Sequence, residues 1–298
     1  MTRPIATISV DVDPVDLHLI GYGWPGLPPD PTVYTLALPR LAEMLAKHRL
    51  RGTFFCVGRD APSHASKIRA LADAGHEVAS HTWSHPIQFA SAKLERQMAE
   101  LVDSRRALSE AAGREVVGFR SPNFDMEPHV VPRLVSAGYR YDASAYPSPL
   151  LVPARTVLAL KSRDPFAVLA MRPWPFSWER APYTWRTGGV ELRQFPVAVT
   201  PRLRLPIYHT MRWVVPPASF EDAIRGFARR GEMLSYVLHG VDVLGLEEDR
   251  IDPRLRKHPG MNRPLAVKRE VLDRTLALIA EHFDVRTYAE QLDSAPAR

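Results

Sequence analysis

Short runs of β-branched, aromatic and small apolar residues alternate along this chain with stretches whose apolar residues recur at helical spacing. That alternation selects parallel strands joined by helices that pack back onto the sheet, because parallel neighbours cannot be joined by a tight turn. The pattern predicts a strand over residues 5–10, a helix over 36–48, a strand over 53–57, a helix over 67–74 stopped by Gly75, and a strand over 77–79. It continues with a helix over 92–112, a strand over 116–119, a helix over 127–137 closed by Gly138, and a strand over 139–142. After an irregular stretch it resumes with a strand over 190–195, a helix over 220–230, a strand over 234–238, a helix over 267–282 and a strand over 283–286. Seven or eight such units predict an α/β fold, a distorted or incomplete (β/α) barrel, with residues 1–298 as a single domain.

The irregular stretch spans about residues 144–187, where prolines 147, 149, 153, 165, 173, 175 and 182 exclude long helices and central strands. It also carries Phe166, Trp174, Phe176, Trp178 and Trp185, which are costly to leave in water, so it reads as an excursion of the domain rather than a linker. No apolar run approaches the roughly 20 residues of a spanning helix, and the strand pattern begins too early for a signal peptide, so a cytoplasmic location is expected. The single cysteine, Cys56, excludes an internal disulfide and sits in an apolar run as a small buried hydrophobe. A net charge of +6 raises nucleic acid, but no motif of interleaved basic and aromatic residues accompanies it, and no nucleic-acid partner is expected. Between Pro201 and Pro217, Arg202, Arg204 and Arg212 alternate with Leu203, Leu205, Ile207, Met211, Trp213 and Val214. This stretch reads either as a loop covering the core or as a peripheral contact with a membrane or lipid-linked substrate.

Chemistry concentrates at the C-terminal ends of the predicted strands. The first strand ends in Asp11 and Asp13, a costly pair unless metal, arginine or water compensates. His81 and His85 follow the third strand, four residues apart, and one helical turn would place both imidazoles on one face. Two histidines and a carboxylate form a zinc-type ligand set that leaves positions open for water and substrate. Arg120 ends the next strand and can hold a neighbouring carboxylate through its planar fork. Asp142 and His239 end two more, His239 followed by Gly240, which permits close backbone approach. The segment 15–34, with His18, Tyr22 and Trp24, and the aromatic excursion are placed to line a pocket whose aromatic faces could stack on sugar rings.

In order and spacing this set resembles the NodB-homology polysaccharide deacetylases, carbohydrate esterase family four, over about residues 5–290. Asp11 and Asp13 match the paired acids of the first motif, although Val12 separates residues that many members keep adjacent. The spaced form, followed by Pro14, resembles the branch that holds peptidoglycan deacetylases and allantoinase-like proteins. His81 and His85 match the second motif, Arg120 and Pro122 the third, Asp142 the fourth, and Leu238 with His239 the fifth. The resemblance implies a divalent metal, zinc first, on Asp13, His81 and His85, with Asp11 as base towards the attacking water and His239 as acid towards the leaving amine. It further implies that Arg120 aims Asp11, that Asp142 supports Arg120 or His239, and that a backbone N–H near Asn123 holds the oxyanion.

The implied activity is metal-dependent removal of an acetyl or formyl group from a small amino sugar or a lipid- or glycan-linked one, with oligomeric state open. Three alternatives compete. An allantoinase-like hydrolase of a cyclic amide or ureide would use the same residues, and a non-catalytic glycan- or lipid-binding scaffold would use the fold alone. The run from Asp11 to Val15 also resembles the nucleophile loop of haloacid-dehalogenase phosphatases, but that reading leaves His81, His85 and His239 unused.

Overall fold

The computed structural model describes residues 3–149 and 179–294, together with Thr156 and Leu160. Phe166, Trp174, Phe176 and Trp178 of the expected excursion lie outside the described residues. Among the described residues, nine strands form one sheet: β1 (Ile5–Val12), β2 (Thr53–Cys56), β3 (Glu77–Ser80), β4 (Gly118–Phe119), β5 (Tyr141–Asp142), β6 (Tyr183–Thr187), β7 (Val190–Gln194), β8 (Leu234–His239) and β9 (Asp284–Val285). Their order is β6-β7-β5-β4-β3-β2-β1-β8, with β9 against the start of β1, and every pairing is parallel except the β6–β7 hairpin. The sheet curls until its ends meet. Beyond β7, the Val197 N–H donates to the Ala145 carbonyl (2.9 Å) and the Ala198 N–H to the Ser235 carbonyl of β8 (3.2 Å). The expected incomplete barrel is therefore present, with an irregular extended segment in place of a strand at the seam.

Eight helices surround the sheet among the described residues: α1 (Val15–Gly21), α2 (Leu38–Lys47), α3 (Ala61–Asp73), α4 (Leu94–Ala112), α5 (Val131–Ser136), α6 (Pro217–Arg229), α7 (Leu265–His282) and α8 (Tyr288–Ser294). Several bounds differ from the periodicity reading. The helix expected from residue 36 begins as a π-helical turn, Val33–Ala37. The helix expected over 67–74 starts six residues earlier, with Pro62 tolerated in its first turn. The helix expected over 127–137 shrinks to a 3₁₀ turn, Pro128–Val130, and α5, since Pro128 and Pro132 remove donors a longer helix would need. β6 lies inside the stretch read as irregular: Gly188 and Gly189, both at positive φ, turn residues 183–187 back on β7.

Side-chain alternation along β1 divides the interior. Ala6, Ile8, Val10 and Val12 face the main core beneath the helices, whereas Thr7, Ser9, Asp11 and Asp13 take the opposite parity, towards the barrel axis. Near the bottom the axis is filled by Phe55, Ala79, Tyr141, Ala143 and Phe195, packed around Tyr288 of α8. Tyr288 lies 4.8 Å from the Phe195 ring and 5.5 Å from that of Tyr141, centroid to centroid. Burial of each such aromatic contributes about 1.5–3 kcal/mol. The barrel floor is thus apolar and the upper rim is left to charged groups.

The basic and apolar stretch after Pro201 folds largely inward. Arg212 is buried and reaches Glu221 on α6 at 3.4 Å, inside a 3₁₀ turn, His209–Trp213. Leu203 and Val214 remain exposed. None of the described helices is long and apolar enough to cross a membrane.

Candidate active site

Asp11 and Asp13 end β1, and the other rim residues reach them from adjacent strands. Asp11 sits in register with His239 of β8 on one side and Phe55 of β2 on the other. Arg120, wholly buried just beyond β4, donates from Nη1 to Asp11 Oδ1 (2.6 Å), from Nη2 to Ser9 Oγ (3.0 Å) and from Nε to the Ala143 carbonyl (3.0 Å). Its guanidinium lies 4.1 Å from the centre of the Phe55 ring. A charge so deep is tolerable only because each side of the fork has a partner. On the opposite edge of the same carboxylate, His239 Nε2 is 3.9 Å from Asp11 Oδ2.

Asp13 faces the histidine pair. Its Oδ1 is 3.3 Å from His81 Nε2 and 3.5 Å from His85 Nε2, and is buried without a well-angled hydrogen bond. The three residues bring their donor atoms within 4.8 Å of one another. His81 Nδ1 lies 2.8 Å from the Arg120 carbonyl, an acceptor that fixes the proton on Nδ1 and leaves the Nε2 lone pair towards Asp13. The donor set and this outer hydrogen bond fit a divalent cation of the zinc type. Electrostatics agree. Burial favours protonated Asp13, but the two imidazoles outweigh it and hold its pKa well below the usual carboxylate range. Burial likewise opposes a charged His81, yet Asp13 raises its pKa, while His85, where burial dominates and His81 repels, falls to about 4. A cation bound here would compete with protons for the ring nitrogens.

The histidine pair is not on a helix, contrary to the spacing argument. Residues 81–85 form a bend in which Thr82 (φ 65°) and His85 (φ 57°) are left-handed, and Pro86 disfavours a right-handed turn at His85. The bend is clamped instead. The Thr82 carbonyl accepts from the Gly58 N–H (2.9 Å) and from Ser104 Oγ of α4 (3.0 Å), and Ser84 donates from N–H and Oγ to Glu100 (2.7 and 2.5 Å). Gly58 makes this possible: a Cβ there would lie 2.7 Å from the Ser104 Cα, on helix backbone that cannot step aside. Gly58→Ala is expected to cost about 1–3 kcal/mol by overpacking, read as a lower urea midpoint with unchanged slope.

Asp142 binds neither Arg120 nor His239. Its Oδ1 accepts from Ser144 Oγ (2.5 Å), which in turn accepts the Ser121 N–H (2.7 Å), so the carboxylate steadies the chain beside Arg120 rather than its side chain. Burial pushes its pKa up to about 6, against the Ser144 hydrogen bonds. An unfolded aspartate titrates near 4, so this group's contribution to stability is full below about pH 4 and is lost as pH rises through 6. Asp142→Asn should remove about 2–3 kcal/mol of that decline, measured as the difference between the pH–stability curves of variant and parent.

A cavity of about 330 Å³ opens above these groups, lined by Asp11, Asp13, His81, His85, Asn123 and His239, and also by Tyr22. Trp24, expected beside them, is absent from this lining and lies under Arg254, 4.8 Å from ring centre to guanidinium. His258, Tyr146, Tyr208 and Thr210 also line the walls, and no sequence motif points to them. Their signal is the topology alone, since they come from loops after β5, the seam segment and β8.

Residues 30–141 match the polysaccharide deacetylase family model, a range that includes His81, His85, Arg120 and Asn123 and leaves Asp11, Asp13 and His239 outside. The chain is 28% identical to the peptidoglycan deacetylase of Helicobacter pylori over 145 residues, 47% of this chain and 49% of that protein. It is 38% identical to a chitooligosaccharide deacetylase of Sinorhizobium fredii over 81 residues, 26% of this chain and 38% of the relative. The matches therefore span about half or less of the length of these curated relatives. In fold, the chain aligns over 99% of its length with 90% of a Mycobacterium smegmatis protein assigned as a polysaccharide deacetylase, at TM-score 0.63 and 20% identity. It aligns over 96% with 88% of PuuE allantoinase, at TM-score 0.60 and 15% identity. In its matched segment the chain is similar to polysaccharide deacetylases, and its curled (β/α) sheet shares their fold.

Proposed function

We propose that this chain is a divalent-metal amide hydrolase that removes an acetyl or formyl group from the nitrogen of an amino-sugar substrate. The observation that carries the reading is the division of labour at the end of β1: Asp13 meets two imidazoles, while Asp11, two residues earlier, is held by Arg120 and stands 3.9 Å from His239. Asp13, His81 and His85 would hold the cation, with zinc the best match to two nitrogens and one oxygen. When bound, the cation supplies a Lewis acid that polarises the amide carbonyl and acidifies water. Asp11, with Oδ1 fixed by Arg120, has Oδ2 available to accept the proton of the attacking water. His239, on the other side of that carboxylate, delivers a proton to the departing amine. Asn123, left-handed at φ 54°, lines the cavity where the carbonyl oxygen would turn.

The spaced acids resemble those of the branch that combines peptidoglycan deacetylases and allantoinase-like proteins, and residues 1–298 act as one domain in this reading. The substrate is a small or glycan-linked N-acyl amino sugar. The test is release of acetate or formate by zinc-supplemented protein from a panel of N-acyl amino sugars, with allantoin included. Turnover of a sugar supports the proposal, and turnover of allantoin alone, or of nothing, rejects it.

A further inference from the structure

His239, which faces Asp11 from the end of β8, opens a tight 3₁₀ turn, Gly240–Val243. Ring and turn are locked to each other: the Asp242 N–H meets the His239 side chain, and Asp242 Oδ2 accepts the His239 N–H (2.8 Å). This reciprocal pair sets the imidazole against the turn, with Nε2 towards Asp11. Where the turn goes, the ring follows.

Three carbonyls of this segment are taken by two cations that come from different helices. Lys268 of α7, only 1% exposed, donates to the Val241 carbonyl (2.8 Å), the Leu244 carbonyl (2.6 Å) and Met261 Sδ (3.1 Å), which uses all three protons of its ammonium. Arg40 of α2 donates from Nη1 to the Val243 carbonyl (3.0 Å), and Asp249 holds both arms of its fork (2.6 and 2.7 Å) while also accepting the Gly245 N–H (2.8 Å). On a third side Gly240 is pressed against the π-helical turn, where a Cβ would lie 2.4 Å from Val33 Cγ1. Met261 extends the clamp to another wall. Its N–H donates to the His258 carbonyl (3.1 Å), and His258 and Pro259 line the cavity.

A buried ammonium is an expensive way to satisfy two carbonyls. Burial pushes the Lys268 pKa down to about 8, and Asp242, Asp249 and Glu248 offset only part of that cost. The bonds of the ammonium nevertheless go to the backbone that carries His239 and to the loop that carries His258. Apolar groups of similar volume often replace buried charges without loss of stability, so the fold alone does not call for this arrangement. A need for precise placement of the turn does.

We propose that Lys268 and Arg40 are positioning residues for His239, holding the turn after β8 so that Nε2 stays within reach of the departing amine. The role of His239 is that of the amide-hydrolase reading, on which this assignment rests. A positioned general acid is worth about 10²–10⁴ in rate and acts only within hydrogen-bond reach, so a displaced ring loses rate before it loses substrate.

Zinc-loaded parent, Lys268→Met and Arg40→Met are compared on the N-acyl amino sugar that the parent turns over and on 4-nitrophenyl acetate, whose phenolate leaves without needing a proton. In each variant kcat for the amide is expected to fall about tenfold or more, with a smaller change in KM, while the ester rate and the zinc content stay at the parent's. Equal losses on both substrates, or an unchanged amide kcat in folded, zinc-loaded protein, overturn the assignment. Should Lys268→Met fail to fold, Arg40→Met carries the comparison, since the Arg40 side chain is 21% exposed. The imidazole ¹H–¹⁵N resonances give a readout independent of turnover. Those of His239 are expected to move in the variants while those of His81 and His85 stay; unmoved His239 resonances, or movement of all three, overturn the assignment. A parent that turns over no N-acyl sugar but shows the selective His239 shift rejects the hydrolase reading and leaves the clamp standing.

Discussion

Arg120→Met is expected to lower the free energy of unfolding by about 3–5 kcal/mol, the cost of removing one partner of a buried ion pair. The guanidinium is wholly buried and its three bonded nitrogens serve Asp11, Ser9 and the Ala143 carbonyl. Methionine fills much of the volume above the Phe55 ring but leaves the Asp11 carboxylate, itself only 3% exposed, without its cationic partner. The double variant Asp11→Asn with Arg120→Met removes both charges together and should recover part of the loss. Urea unfolding of the four proteins in this cycle gives the coupling directly. Additive effects would show that the pair does not hold the rim.

The second large effect separates the two acids. Asp13→Asn should lose stoichiometric zinc, as should His81→Ala, because each removes one of three ligands whose donor atoms lie within 4.8 Å. Asp11→Asn should keep the zinc and lose about 10²–10⁴ in kcat, the range for a positioned general base. Metal content by elemental analysis beside initial rates reads both at once. Loss of metal from Asp11→Asn, or full activity without metal in Asp13→Asn, would exchange or abolish the roles assigned here.

How far the sequence was readable depends on which force fixed each feature. Strand positions and the parallel order were legible because buried strands carry uniform apolar runs, and the rim residues were legible because Asp11, Asp13, His81, Arg120 and His239 all fall at strand ends. The bend at residues 81–85 was misread because its shape comes from distant partners, Glu100 and Ser104 on α4, which no local spacing reveals. The short strands β4 and β5 are bounded by the sheet's curvature rather than by composition. Tyr22 reached the cavity as expected, while Trp24 packs under Arg254, a contact that only the fold of the 3₁₀ turn Pro253–Lys257 creates. His258 was invisible for the same reason: a lone histidine in a loop gains meaning only from His18 and His239 beside it.

The placement of Tyr288 has a consequence for the order in which the molecule can become active. The N–H of Tyr288 donates to Thr53 Oγ1 on β2, that of Ala289 to Glu77 on β3, and Gln291 Nε2 to Thr7 on β1, while the Tyr288 hydroxyl lies 3.5 Å from Arg120 Nη2. Strands β1, β2 and β3 and the arginine that aims Asp11 therefore wait for a helix that follows them far along the chain. A chain emerging from its N-terminus first can pair β1, β2 and β3 early, yet the floor beneath its reactive rim closes only when residue 288 arrives. Competence for chemistry is thereby timed to the arrival of α8 rather than to the appearance of the residues that perform it.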